Sequence, residues 1–548
     1  MTGTDSSAGV AFRGVFAHSF TYLDGFSRNV HRYGDSAAMI LPETGRIWTY
    51  RELDAEANRV ARALAAAGVG AGARIVVMLP NVPEFAFLYL GAKKLGAIAA
   101  PINYRLAHGE IAYILDRHAP AAFVYDAEYR PTAERALAAS VHRPALTIVV
   151  GEAGAGGYAA FVAPHGREPF VPEGELPGAY DETLRLFTSG TTGMPKGVPL
   201  TNVNEVLSAH DVIMQFPLAP EDATMNMTPW FHRGGIHSGG PCPAFFAGAR
   251  VLPLRQFEPD EVLDHVERYR IAYLIGAPTN LAMLLDAQLR RRRDLSALKG
   301  IVTMGAPLAR DACIRYQREL CERIFNGYGT TEAFWNTLLR PPDLPAHAGS
   351  AGRACIDDDV RVVRLYEDRR AAADDLAARD GSEVGEVIVR SPGKCPFAYV
   401  DDPVAEREVF RDGWVYIGDL ATWDAQEYVT IVGRRDDMII SGGENVHPVQ
   451  VEEALNEHPG VQDALVTGAP DERWGELVVA YVVRRDETLT AAELERYCST
   501  HPMLARYKRP RAYRFLDALP LTATGKKRHF VMKAQAREDI AAGIFERV

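Results

Sequence analysis

Residues 186–200 read LFTSGTTGMPKGVPL, an apolar run that empties into Thr188, Ser189, Gly190, Thr191, Thr192 and Gly193 before Pro195, Lys196 and Gly197. Each part of this segment suits a phosphate. The glycines let backbone N–H groups turn toward an anion, the hydroxyls add donors, and the lysine brings a compact positive charge. The familiar nucleotide-triphosphatase loop places Ser or Thr directly after its lysine, whereas here Pro195 precedes Lys196 and Gly197 follows it. The chemistry is that of phosphate binding by a different kind of loop.

Further chemistry-bearing segments follow in order: Pro229-Trp230-Phe231-His232, Met304-Gly305-Ala306-Pro307, and Asn326-Gly327-Tyr328-Gly329-Thr330-Thr331-Glu332. After these come Gly413-Trp414 to Gly418-Asp419-Leu420, Gly433-Arg434-Arg435-Asp436-Asp437, Ser441-Gly442-Gly443-Glu444-Asn445, and Thr522-Ala523-Thr524-Gly525-Lys526. In the third segment Tyr328 offers a flat face for a purine, Thr331 can donate to a phosphate, and Glu332 is a hard oxygen ligand suited to magnesium. Taken together with residues 186–200, the ordered set resembles the adenylate-forming superfamily of acyl-CoA synthetases, luciferases and peptide-synthetase adenylation domains, nearest to the acyl-CoA synthetases. The likeness covers almost the whole chain.

The resemblance implies an acid-thiol ligase that activates a carboxylic acid with ATP and Mg²⁺ as acyl-AMP, releasing pyrophosphate, and passes the acyl group to coenzyme A. It implies that Lys526, His232, Thr191 and Glu332 are the catalytic set, with Glu332 as the metal carboxylate. Thr188, Ser189, Gly190, Thr192, Gly193 and Lys196 would cradle the phosphates. Gly305, Ala306, Pro307, Asn326, Gly327, Tyr328, Gly329 and Thr331 would hold the nucleotide, and Asp419 and Arg434 its ribose. Asp436 takes the hinge position about which a small C-terminal domain turns between half-reactions. After the turn Ser441, Gly442 and Gly443 would line the path of the pantetheine arm.

By the same analogy the acyl pocket is lined by Trp230, Phe231, His237, Ala333, Phe334 and Trp335. Gly329 is expected to leave open the volume that acetate-specific relatives fill with tryptophan. Aromatic walls around that volume predict a compact acid: aromatic, alicyclic, short branched or hydroxylated, with His237 and Asn336 able to bond a hydroxyl. His232 replaces the aspartate that amino-acid-activating relatives use to bind an ammonium. Gln450 and His529 depart from the family's usual glutamate and basic residue, and Ala398 and Glu427 stand where glycines are common. The alternative reading is a stand-alone adenylation enzyme that loads a carrier protein; a non-catalytic sensor conflicts with the retention of Lys196, Glu332, Asp419 and Lys526.

The elements that position these residues are legible as periodicity. Residues 50–68 and 83–95 read as amphipathic helices, and 74–79, 250–253, 272–276 and 300–305 as short buried strands. That alternation predicts an α/β fold: a large N-terminal domain, residues 1–433, of layered α/β subdomains with a small β-rich unit at 360–432. A small mobile α+β C-terminal domain, 434–548, follows it. Gly68, Gly70 and Ala73 imitate a dinucleotide fingerprint but lie between a helix and a strand, the reverse of the required order, and are read as a turn. A charge of -11 argues against a nucleic-acid partner, and the run Arg290 to Arg293 reads as a solvated helix end. Six scattered cysteines suit reduced thiols in a cytoplasmic enzyme rather than a metal cage. Neither a secretory leader nor a membrane span is read in the sequence. A homodimer is compatible with the composition.

Overall fold

The computed structural model describes all residues except 1–6, 155, 190–193, 367–368, 442–443, 472, 502–503, 505 and 522–525. Helix Tyr50–Ala66 begins where its sequence says it should: Thr49 accepts from the Glu52 N–H and Glu52 accepts from the Thr49 N–H, satisfying two orphan donors at once. Helix Pro83–Leu95 starts on proline and stops at Gly96, whose φ of 76° is cheap for glycine. These helices pack against each other over a six-stranded sheet ordered Leu146–Val150, Ala122–Asp126, Arg74–Met78, Ile98–Pro101, Glu182–Ser189, Pro195–Thr201. The first five strands are parallel. The last pair is an antiparallel hairpin in which Thr188 faces Lys196 and Ser189 faces Pro195.

A second, nine-stranded sheet contains Ala223–Asn226, Tyr273–Gly276, Gly300–Met304 and Ile324–Thr330 as parallel neighbours. The direction then reverses through Phe334–Leu339, which pairs antiparallel with Ile324–Thr330. Open α/β sheets bind ligands beyond the carboxyl ends of their parallel strands. His232, Gly305 and Glu332 all follow such ends here, because Asn226, Met304 and Thr330 are the last residues of their strands.

The β-rich unit is an antiparallel five-stranded sheet containing Asp359–Arg364, Gly385–Arg390, Trp414–Trp423 and Val429–Arg434. Its last strand ends at Arg434 and leads through the single turn Arg435–Asp437 into a separate sheet that begins at Ile439–Ser441. This C-terminal unit pairs Val461–Asp471 with Gly475–Arg484 and covers them with helices Pro448–Asn456 and His529–Ala541, around its own apolar core. Two strands are long: Trp414–Trp423 ladders to Gly385–Arg390, Phe410–Arg411 and Val429–Arg434, and Val461–Asp471 ladders to Gly475–Arg484. Among the described residues no helix is long and apolar enough to cross a membrane.

Candidate active site

Lys526 reaches the carboxyl-end face of the nine-stranded sheet. A Cβ built on Gly305, whose φ is 90°, would stand 3.3 Å from the lysine's Cε, so glycine leaves the room that the ammonium arm uses. The surrounding protein lowers the Lys526 pKa by desolvation, offset in part by Asp419 and Glu332 and reinforced by Arg434. His232 stands on the same side. Burial, and then the Lys526 charge, pull its pKa down to about 3, and its Nε2 has no hydrogen-bond partner. His232 is therefore neutral at physiological pH, with a ring nitrogen available to a ligand.

Asp419 and Arg434 lie directly opposite each other on paired strands, with Arg434 Nε 3.5 Å from the carboxylate. The Tyr328 hydroxyl donates to the same carboxylate at 2.7 Å, joining the third sequence segment to the fourth and fifth. Glu332 is buried, and Tyr399 donates to its Oε1 at 2.6 Å. The ring of Tyr399 also lies 5.5 Å from Lys196 Nζ, and the N–H of Val400 donates to the Gly197 carbonyl. Tyr399 thus stands between the lysine of the glycine-rich hairpin and the carboxylate of the 331–333 turn. No motif or periodicity marks it in the sequence, and the contact spans 67 residues.

Gly190, Thr191, Thr192, Gly193, Gly442 and Gly443 lie outside the described residues; Ser189 and Ser441 close the strands that flank them. Ala306 and Pro307 follow Gly305 at the sheet end, and Thr331 offers its carbonyl to Arg233 at 2.6 Å. The Asn326 amide donates to the Ser350 carbonyl, tying its strand to the next loop. Asp436 is exposed within the turn that links the two units.

The acyl-pocket expectation needs correction. Trp230 is packed against Phe85 in the core of the first subdomain, whereas Phe231 joins a different core beside Tyr104, with its ring against that of His232. Ala333 joins the core of the β-rich unit. Trp230 and Phe231 are successive residues whose side chains enter different cores, so neighbours in sequence need not share a wall. Of the six, the Phe334 and Trp335 rings stack at 5.3 Å with His237 5.7 Å from Phe334, while Phe231 lies 4.3 Å from the ring of His232. Met304 packs in the same cluster as Phe334 and Trp335, and a Cβ on Gly234 would meet its sulfur at 2.8 Å.

Gly329 does not open the pocket. A Cβ there would fall 1.7 Å from the Phe334 carbonyl oxygen, so its missing side chain serves the close approach of two hairpin strands at a bulge. His237 is fully buried with both ring nitrogens unpartnered, and burial followed by the Arg233 and Lys93 charges holds its pKa well below the usual value. Glu205, His237 and Cys242 approach within 4.8 Å of one another. That carboxylate is already occupied by Lys93, Tyr89 and Thr183, and the buried ammonium opposes a second cation.

The residues that follow Lys526 are tied into the C-terminal unit. Lys527 bonds Glu452 at 3.1 Å and Asp463 at 2.9 Å, and His529 Nε2 meets Glu452 at 2.6 Å. Burial raises the Glu452 pKa, but the charges of Lys527 and His529 outweigh it and bring the carboxyl down to about 2. His529 thus takes up the pairing with Glu452, and Gln450 accepts from Lys508 at 2.8 Å.

One unit carries the carboxylates of Asp419 and Glu332, and the other places Lys526 near them beside Gly305, which is the layout of a two-domain adenylate-forming enzyme. Residues 26–396 match the AMP-binding enzyme family, and residues 450–526 match the AMP-binding enzyme C-terminal domain. The chain is 34% identical to feruloyl-CoA synthase of Amycolatopsis over 90% of its length and 94% of that protein's. It is 32% identical to long-chain-fatty-acid–CoA ligase FadD13 of Mycobacterium tuberculosis, covering 92% and 96%. Its fold matches the anthranilate CoA ligase AuaEII in complex with anthranoyl-AMP, with a TM-score of 0.85, 27% identity, and 96% and 98% coverage. The chain belongs to the AMP-binding enzyme family and is an AMP-forming acid–thiol ligase that uses ATP, Mg²⁺ and coenzyme A.

Proposed function

We propose that this ligase acts in the cytoplasm on a compact carboxylic acid with an aromatic or alicyclic body. The observation that carries this reading is the stacked pair Phe334 and Trp335, packed with Met304 beside Gly234, two residues past His232. Rigid rings there favour a flat, short acyl body over an extended chain. Names of relatives lend support in the same sense, since feruloyl-CoA synthase and the anthranilate ligase take ring acids.

Bound Mg²⁺–ATP supplies the electrophilic α-phosphoryl group and, through the ion, screens the approach of one anion to another. Glu332 is the carboxylate suited to hold that ion: a hard oxygen donor, buried, with Tyr399 taking one of its two oxygens. Asp419, oriented by Tyr328 and Arg434, accepts from ribose hydroxyls. Neutral His232 presents Nε2 beside the acid's carboxylate without a competing charge. The Lys526 ammonium, fitted into the space above Gly305, stabilises negative charge developing between the two anions. In a second orientation, reached by rotation at Asp436, the C-terminal domain withdraws Lys526 and turns Ser441, Gly442 and Gly443 toward the cleft for the thiol.

The test is a panel of benzoate, hydroxycinnamates, cyclohexanecarboxylate, acetate and dodecanoate, scored for AMP release and thioester with and without coenzyme A. A ring acid should exceed acetate in kcat/KM by about 10²-fold or more, since several lost methylene contacts each cost about 1–3 kcal/mol. Preference for acetate or dodecanoate contradicts the reading. Adenylate that transfers to a carrier protein but not to coenzyme A would contradict the acceptor.

A further inference from the structure

The turn that carries Glu332 is held by its carbonyls. Arg233 Nη1 donates to the Thr331 carbonyl at 2.6 Å, the Asn336 amide to that of Ala333 at 3.2 Å, and Lys394 Nζ to that of Trp335 at 2.6 Å. Three alternate carbonyls are thus taken by side chains, Asn336 locally and Arg233 and Lys394 from distant parts of the chain. Such capping is needed because Phe334, within this stretch, has a φ of 61°, a conformation that costs a bulky residue energy and persists only where its surroundings fix it. Both cations also flank the Phe334 ring, at 5.5 and 5.9 Å.

The two cations differ in what neutralises them. Lys394 is paired with Asp211 and Asp358, each at 2.7 Å. Arg233, 2% exposed, has backbone and hydroxyl acceptors instead: the Thr331 carbonyl, the Lys394 carbonyl at 2.6 Å, and Ser208 Oγ at 3.3 Å. Burial pulls its pKa down only to about 10, so it stays charged. Desolvating a guanidinium to hold main-chain carbonyls is costly, and a neutral donor could cap a carbonyl at less expense. The position of Arg233 gives the reason. It directly follows His232 and starts the short helix Arg233–Ile236, while its fork grips the residue before Glu332.

We propose that Arg233 is a positioning residue that fixes the Glu332 carboxylate relative to His232, coupling the metal side of the cleft to the acyl side. The proposal rests on the ligase reading above and on Glu332 as the magnesium carboxylate. Misplacing Glu332 weakens the use of Mg²⁺–ATP, which only the first half-reaction consumes.

The experiment compares the parent, Arg233→Met and Arg233→Lys in two assays on the same preparations: acid-dependent pyrophosphate release as a function of Mg²⁺, and thioester formation from a supplied acyl-adenylate. Arg233→Met should raise the Mg²⁺ concentration for half-maximal adenylation by about 10- to 100-fold, the usual cost of losing a group that orients a metal ligand. Thioester formation should stay within about threefold of the parent. Arg233→Lys, with one donor arm in place of the fork, should fall between them. An unchanged Mg²⁺ midpoint, or equal loss in both half-reactions, overturns the proposal. Should Arg233→Met not fold, Asn336→Ala, which removes the central carbonyl cap without touching a buried charge, must raise the Mg²⁺ midpoint by at least about threefold. A parent enzyme that forms no acyl-adenylate would instead contradict the ligase reading itself.

Discussion

The two walls of the active-site cleft are built on different principles. The Glu332 wall is integral to the nine-stranded sheet: its strand ends within a parallel array, and its turn is capped at Thr331, Ala333 and Trp335 by Arg233, Asn336 and Lys394. The Lys526 wall belongs to a separate sheet, reached through the single turn Arg435–Asp437, and the residues just past it are tied to that unit through Lys527, Glu452 and His529. One wall is built into the large unit's own sheet, the other into a separate C-terminal unit with its own apolar core. The contrast teaches that a charge carried on a separate unit can be given to one step, as the proposed rotation at Asp436 requires, while charges built into the large sheet stay in place.

The largest effect should come from disturbing the fixed wall. Gly329→Trp should abolish folding rather than change acid preference, because even a Cβ meets the Phe334 carbonyl at 1.7 Å. The cost exceeds about 4 kcal/mol, the range of severe backbone and core damage. Thermal denaturation or the soluble yield reads it; a folded variant that merely shifts from ring acids to acetate would restore the pocket role that the sequence suggested for this glycine.

The moving wall should respond differently. Asp436→Pro limits φ to near -65° in the linking turn, and it should slow thioester formation by roughly tenfold or more while adenylation stays near the parent rate. Single-turnover measurements of each half-reaction separate the two. Parent rates in both would mean that the rotation takes place at other bonds.

A further effect concerns the anchor beneath Lys526. Burial alone would lower the His529 pKa, but the charge of Glu452 and the hydrogen bond to it raise it above the ordinary 6.5. The sign follows: the stabilisation is fully present below pH 6.5 and is lost as pH rises through the elevated folded value. His529→Leu should cost about 1.5–3 kcal/mol near pH 6, the worth of a hydrogen bond to a charged group, and less at pH 9. Denaturant melts at the two pH values measure it, and a cost independent of pH would show that the contact is not ionic.

The contrast between the walls also explains what could be read from sequence. Helix 83–95 and strands such as 74–78 and 300–304 were legible because apolar periodicity and turn residues mark them locally. Lys526, His232, Asp419 and Arg434 were legible as ordered segments, and the structure gathers them on one cleft. The clamp was not legible, because Arg233 meets its two carbonyls across 98 and 161 residues and Tyr399 meets Glu332 across 67. The pocket walls failed for a different reason. Trp230, Phe231 and Ala333 are adjacent to site residues in the chain, but their side chains enter three separate cores.

The central claim is that Lys526 serves one half-reaction only. Lys526→Ala should reduce acyl-adenylate formation by about 10³-fold, as expected when a preorganised charge is removed from a site where negative charge develops. Thioester formation from a supplied acyl-adenylate should stay within about threefold of the parent, since the lysine is then withdrawn from the cleft. Rapid-quench measurement of the two half-reactions on one preparation gives both numbers. Equal loss in the two would contradict the account, because it would mean that Lys526 remains in the cleft throughout.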